Sequence, residues 1–170
     1  MDFNLSDDQQ ALIDSAQRFA KNKLAPMYRT GDKTGRVDRS LVKAMGDMGF
    51  LGPELPEAYG GLGVDCVTSG LLLEQIAYGD FNMSYINLLT SLCGQIIAEH
   101  AQDYLKERWL KPILAGDKLG AIALTEPSAG SDAARLKLKA QRDGDHFIIN
   151  GEKTSISLAD QSDVAVVFAR

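Results

Sequence analysis

The spacing of apolar residues changes once along this chain, near Leu119, and that change limits the fold to helices followed by strands. Upstream of it, Leu12, Ile13, Ala16, Phe19, Ala20 and Leu24 fall on one stripe at helical spacing. Ser6 and Gln9 have capping-box spacing ahead of that stripe, Asp7 and Asp8 favour the helix N-terminus, and Pro26 is expected to stop the helix. Asp38 is placed to cap a shorter helix carrying Leu41, Val42, Met45 and Met48, with Gly49 at its end. The run from Gly49 to Gly63 is rich in glycine and proline and reads as a shaped loop. Asp65 then caps a helix with Leu71, Leu72, Leu73 and Ile76, and a second apolar helix follows from Met83 to Ala98. Both are too continuously apolar for a one-sided stripe, so each should be buried on more than one side. Gln102 to Lys111 closes the set, with Tyr104, Leu105 and Trp109 expected inward and Pro112 as the break.

Downstream, LGAIALT reads as a short strand between Gly116-Asp117 and Pro127. Leu136, Leu138 and Ala140 alternate with Lys137, Lys139 and Gln141, the period of a pleated strand. Asp143-Gly144 predicts a turn into HFIIN, Asn150-Gly151 a second turn into EKTSIS, and Asp163 to Ala169 a last apolar strand. The expected fold class is α+β: an all-α helical bundle over residues 1–117, then an incomplete antiparallel β-domain over residues 118–170. The chain stops at Arg170 directly after a strand, which would leave a sheet edge uncovered. A cut chain, or a sheet covered by another segment or partner, is the expectation.

Charge and composition remove several function classes. A net charge of -5 with no Lys/Arg cluster beyond the pair Lys21 and Lys23 argues against a nucleic-acid partner. No run approaches the roughly 18 apolar residues of a membrane span, and the polar, acidic start MDFNLSDDQQ is unlike a signal peptide. A cytoplasmic location is expected. Cys66 and Cys93 have no CxxC partner or neighbouring histidine and read as small buried hydrophobes. His100 and His146 lack a second ligand at metal spacing and read as structural or exposed, so no metal site is expected.

The segment TEPSAGSD, Thr125 to Asp132, is where chemistry concentrates. Small residues let a ligand approach the backbone, and successive N–H groups with the Ser131 hydroxyl would suit an anion. An ordinary polar turn explains the same residues, and the segment has neither Walker spacing nor a GxGxxG. Glu126 precedes a proline at a strand end and reads as a brace for the loop rather than a catalytic base.

TEPSAGSD resembles the flavin-loop signature of the acyl-CoA dehydrogenase family. Pro56, Glu57, Tyr59, Gly60, Gly61 and Gly63 are similar to its PExYGGxG loop, and NGEKTSIS, Asn150 to Ser157, to its NGxKxxIT/S segment. The resemblance spans essentially the whole chain and implies FAD as cofactor and desaturation of an acyl-CoA substrate. Electron-transfer flavoprotein is the implied electron acceptor, and the full-length protein is implied to be a homo-oligomer. It further implies that Leu124 and Thr125 meet the pyrimidine side of the flavin, and that Ser131 meets its pyrophosphate near the thioester arm of the substrate. Ile122 would pack beside the acyl chain, and Ser155, Ile156 and Ser157 would lie against the flavin, with the Ser157 hydroxyl approaching N5. Ser155 stands where many members carry an aromatic residue, which suggests room for a bulkier substrate ring. Thr154, by comparison, is expected to point into solvent.

Met83, Tyr85 and Leu89 lie in the segment resembling the helix that lines the acyl cavity, although core packing explains them as well. In most members the catalytic Glu comes from a C-terminal domain that this sequence does not contain, so no catalytic base is assigned and the chain alone should be inactive. The alternatives are an acyl-CoA oxidase-type flavin enzyme on the same scaffold and a non-enzymatic helical fragment that docks a protein.

Overall fold

Ser6 opens the first helix as its spacing predicts: its hydroxyl accepts from the Gln9 N–H at 3.2 Å, and the Gln9 side chain accepts from the Ser6 N–H at 3.0 Å. The computed structural model describes residues 4–170; Met1, Asp2 and Phe3 of the polar start lie outside the described residues. Helix α1 (Asp7–Phe19) runs without a break into one π-helical turn, Ala20–Leu24, where the Ala25 N–H reaches back to the Ala20 carbonyl. Ala16, Ala20 and Leu24 are buried, with Leu12 and Phe19 packed against the core. The helical stripe is therefore the inward face, and it ends just before Pro26 as expected.

Three further helices start on an aspartate. Asp38 caps α3 (Arg39–Asp47), Asp65 caps α4 (Cys66–Gly79) and Asp80 caps α5 (Phe81–His100), each side chain accepting from backbone N–H groups of the first turn. Between α1 and α3 lies a helix the sequence does not announce, α2 (Tyr28–Thr34). It buries no residue, so it has no apolar stripe to betray it. Met48, expected inward with Val42 and Met45, is exposed because α3 ends one residue before it. Cys66, expected buried, is exposed at the start of α4, while Cys93 is buried in α5 and burial pushes its thiol up to about 11.

The Gly/Pro-rich stretch between α3 and α4 is a loop, as predicted, but one built into the core. Phe50, Leu51, Pro53 and Leu55 are all buried, and the Asn87 side chain of α5 accepts from the Gly52 N–H at 3.3 Å. A side chain on Gly61 would lie 2.0 Å from the Leu55 carbonyl oxygen, so only glycine lets the two backbone segments pass.

The last helical stretch passes through Pro112 instead of ending there. It comprises α6 (Asp103–Leu105), a π-helical turn Lys106–Leu110 and α7 (Lys111–Leu114). Proline has no N–H to lose, and in the first turn of α7 none is needed. Tyr104 is exposed, against expectation; Leu105 and Trp109 are half-buried, and the Arg108 guanidinium stacks 5.1 Å from the Trp109 ring centre.

The strands correct the expectation of a purely antiparallel sheet. β1 (Gly120–Ala123) pairs in parallel with β4 (Val164–Val167), Ile122 lying opposite Val166. β2 (Lys139–Asp143) and β3 (His146–Asn150) form the predicted antiparallel hairpin, turning at Gly144, which has a φ of 59°. Parallel pairing needs a long crossover, and residues 124–163 supply one with the hairpin inside it. The second expected hairpin does not form. After Gly151 the chain enters the left-handed region at Ser155 (φ 54°) and Leu158 (φ 61°), which breaks any strand through EKTSIS and turns Leu158 onto the helical core.

Asp163 fastens this sheet to the helices. It accepts from the Leu119 N–H at 2.8 Å, from Arg39 of α3 at 2.7 Å and from Lys118 at 3.2 Å. Burial pushes its carboxyl upward, but Arg39, the Leu119 N–H and Lys118 outweigh that and hold it at about 2. Nearby, Gln161 accepts from the Val37 N–H and donates to the Gly35 carbonyl, docking the loop before β4 on the link between α2 and α3.

Gly61→Ala forces a methyl group into the Leu55 backbone and should destabilise the chain by about 3 kcal/mol. Urea unfolding checks this: a lower midpoint with an unchanged slope is expected, and a midpoint equal to wild type would show that the loop yields freely.

Candidate functional site

Where β1 ends, the chain makes a tight turn at Pro127-Ser128. Glu126 and Ala129 exchange backbone hydrogen bonds across it, at 2.8 and 3.1 Å. The Glu126 side chain points inward and is almost fully buried. Its two oxygens accept from the Lys137 N–H at 2.7 Å, the Leu138 N–H at 3.0 Å and Lys153 Nζ at 2.9 Å. Lys153 Nζ also donates to the Leu124 carbonyl at 2.8 Å. The Lys137 N–H foremost, with Lys153 and the Leu138 N–H, outweighs burial and holds the carboxyl at about 2. Glu126 is thus the brace that its place before proline suggests. An acid held ionised by three donors has no basicity to lend to a substrate.

The same brace positions the hydroxyl-bearing residues. With Lys153 anchored to Leu124 and Glu126, the Thr154 N–H donates to the Thr125 carbonyl at 2.9 Å, so residues 153–157 run alongside the turn. Thr125 and Ser157 are half-buried, Ile122, Leu124 and Ile156 likewise, and Ser155 and Ser131 are exposed. Thr154, expected in solvent, is half-buried because its backbone is tied to Thr125. The carbonyls of Leu124 and Thr125 accept from Lys153 and Thr154, so the turn has donors rather than these acceptors to offer a ligand.

From the opposite side comes α5. Ser157 Oγ donates to the Tyr85 hydroxyl at 3.3 Å, joining two expected site residues directly. Tyr85, Met83 and Ile86 also border a cleft of about 500 Å³, closed elsewhere by Val37, Leu41 and Leu158. Leu89 does not reach this cleft; it is buried within α5. Ser131 stands at the far end of the turn and has no side-chain hydrogen bond among the described residues.

Among the described residues no group of His, Cys, Asp and Glu could hold a metal ion, and His100 and His146 are exposed. Among the same residues no helix is long and apolar enough to cross a membrane. The donor set suits a flavin edge: neutral hydroxyls at Thr125, Ser131 and Ser157 surround a turn whose one internal carboxylate is withdrawn. Sequence reasoning missed Lys153. A lysine close to an Asn-Gly pair looks solvated, and its place as the lysine of the NGxKxxIT/S segment was the signal available.

Residues 6–117 match the family model of the acyl-CoA dehydrogenase N-terminal domain, and residues 121–170 that of the acyl-CoA dehydrogenase middle domain. The chain is 35% identical over 170 residues to a short-chain-specific acyl-CoA dehydrogenase of Clostridium acetobutylicum, covering 99% of this chain and 45% of that protein. Among solved structures, it is similar to a chain described as the electron transferring flavoprotein of Acidaminococcus fermentans. There the identity is 40% and the TM-score 0.91, over 99% of this chain and 45% of the other. A glutaryl-CoA dehydrogenase from Mycobacterium smegmatis in complex with FADH2 is 29% identical with a TM-score of 0.92, over 98% of this chain and 43% of the other. The chain spans about half the length of the relatives it matches.

The brace has a pH signature. Glu126 is held at about 2 against an ordinary 4.5, so its stabilisation is complete above about 4.5 and is lost as pH falls through about 2. Glu126→Gln leaves Lys153 buried without its counter-charge and should lower the melting temperature by roughly 10 °C. Across the window from pH 4.5 to 2, wild type should lose stability more steeply than the variant. Parallel curves in acid urea titrations would remove the brace from the account.

Proposed function

The chain belongs to the acyl-CoA dehydrogenase family, and on that premise we propose that it serves a flavoprotein that desaturates an acyl-CoA thioester. In this reading residues 1–117 form the helical N-terminal domain and residues 118–170 the opening part of the middle β-domain. One observation supports it: the Thr154 N–H donates to the Thr125 carbonyl, so the segment leading to Ser157 runs beside Thr125 and a carboxylate withdrawn from chemistry.

FAD, when bound, supplies the acceptor for the hydride leaving the β-carbon. The residues of this chain bind and orient. Leu124 and Thr125 hold the pyrimidine side of the flavin, Ser131 its pyrophosphate, and Ile122, Ser155 and Ile156 pack against the flavin and the acyl chain. The Ser157 hydroxyl would face N5 and supply a preorganised dipole there. Tyr85 and Met83 face the acyl group, with Leu89 behind them in α5. None of these groups is a free carboxylate, so the α-proton is taken by a base supplied from outside the chain. The likeness to the Acidaminococcus chain supports electron-transfer flavoprotein as the acceptor. Homo-oligomeric assembly belongs to the same reading, on the family resemblance alone.

The full-length protein should purify yellow and bleach on addition of an acyl-CoA, whereas the 170-residue chain with added FAD should not bleach. A colourless full-length protein that takes up no FAD would sink the proposal, and bleaching by the chain alone would place a base within it. Ser155 is exposed and small, at a position where the family resemblance implies an aromatic residue in many members. Ser155→Trp should therefore lower kcat/KM for cyclic acyl-CoAs about tenfold more than for straight-chain ones. Equal losses on both would dissociate Ser155 from substrate choice.

A further inference from the structure

We propose that the Tyr85 hydroxyl is the positioning partner of Ser157, donating to Ser157 Oγ so that the serine proton is directed at the flavin. The inference rests on the flavin-facing reading of Ser157 given above. The two oxygens are 3.3 Å apart, on elements 72 residues apart in sequence. A hydroxyl has one proton and can accept as well as donate. With only each other for company, Ser157 donates to Tyr85. When a third acceptor takes the serine proton, the pair must reverse, and the phenol, the stronger donor of the two, supplies its own. The sequence Tyr85 to Ser157 to acceptor is then a polarised chain in which each bond strengthens the next.

The surroundings leave this one freedom open and close the others. Leu158, next to Ser157, is packed against the helical core in a left-handed conformation, and the Thr154 N–H is tied to Thr125. The backbone on either side of Ser157 is therefore held. Serine lacks the β-branch that restricts χ1 in threonine, so its hydroxyl direction depends on a partner. Tyr85 is the only side-chain partner of Ser157 among the described residues. Its base is rigid: Asp80 caps α5 one turn earlier, and Met83, Ser84 and Ile86 beside it are buried. Tyr85 is 38% exposed and borders the cleft, so its side chain is open to a ligand.

The test uses the full-length, FAD-loaded protein and two readouts, the midpoint potential of the bound flavin and steady-state kinetics. Tyr85→Phe removes only the hydroxyl. It should lower the potential in the same direction as Ser157→Ala and reduce kcat roughly tenfold with little change in KM. In potential and kcat the double variant should match Ser157→Ala alone, because the phenol reaches the flavin only through the serine. Ser157→Thr in the Tyr85→Phe background should recover most of the loss, its β-branch replacing the lost partner. A wild-type potential and kcat in Tyr85→Phe, while Ser157→Ala lowers both, would overturn the inference and leave the flavin-facing role of Ser157 standing. A change in KM alone would do the same, confining the Tyr85 hydroxyl to the acyl-group side of its surroundings. If Ser157→Ala changes neither readout, the reading of Ser157 fails and this inference falls with it.

Discussion

The site depends on one buried ion pair. Glu126 and Lys153, with 4% and 9% of their side chains exposed, lie 2.9 Å apart. Neither charge is tolerable there alone, so each must find every partner its geometry allows. Glu126 takes two N–H groups from the segment leading into β2, and Lys153 takes the carbonyl of Leu124 at the end of β1. Three stretches of chain are thereby fixed to one another, and two of them carry the hydroxyls of Thr125 and Ser157. The pair also consumes Glu126, the carboxylate within the turn, as structure.

A second carboxylate fixes the site to the helices. Asp163 joins Arg39 of α3 to Lys118 and Leu119 at the start of β1. Both carboxylates are ionised far below their ordinary range for the same reason, donors fixed around a partly dry group. Between these two points the chain from Lys153 to Asp163 has little slack. It is bent twice into the left-handed region, with Leu158 in the core and Ser157 against α5. The contact between Ser157 and Tyr85 is thus a junction between two rigid parts.

Much of the helical half was legible in order. Caps at Ser6, Asp38 and Asp65 are local devices, satisfied by backbone groups within one turn, and Asp80 caps α5 in the same way without having been singled out. The stripe ending at Leu24 survives a π-helical turn because the extra residue falls at the end of the apolar face. Less visible were α2, which buries nothing, and the depth of the loop from Phe50 to Leu55, whose glycines and prolines speak of shape and not of burial. Tyr104 and Met48 misled because one apolar residue on a helix end can face either way.

In the strand half, the residues by themselves determined the hairpin of β2 and β3, the braced turn at Glu126 and the hydroxyl types of the candidate site. Each follows from neighbours close in sequence: a tight turn, a proline, an alternation. Only the tertiary structure decided that β1 and β4 pair in parallel, that EKTSIS is bent instead of extended, and that Lys153 and Tyr85 are the partners of Glu126 and Ser157. Those outcomes depend on pairing groups 27 to 72 residues apart in sequence. Burial selects the pair of Glu126 and Lys153 because a charge removed from water must be matched by whatever the fold brings near.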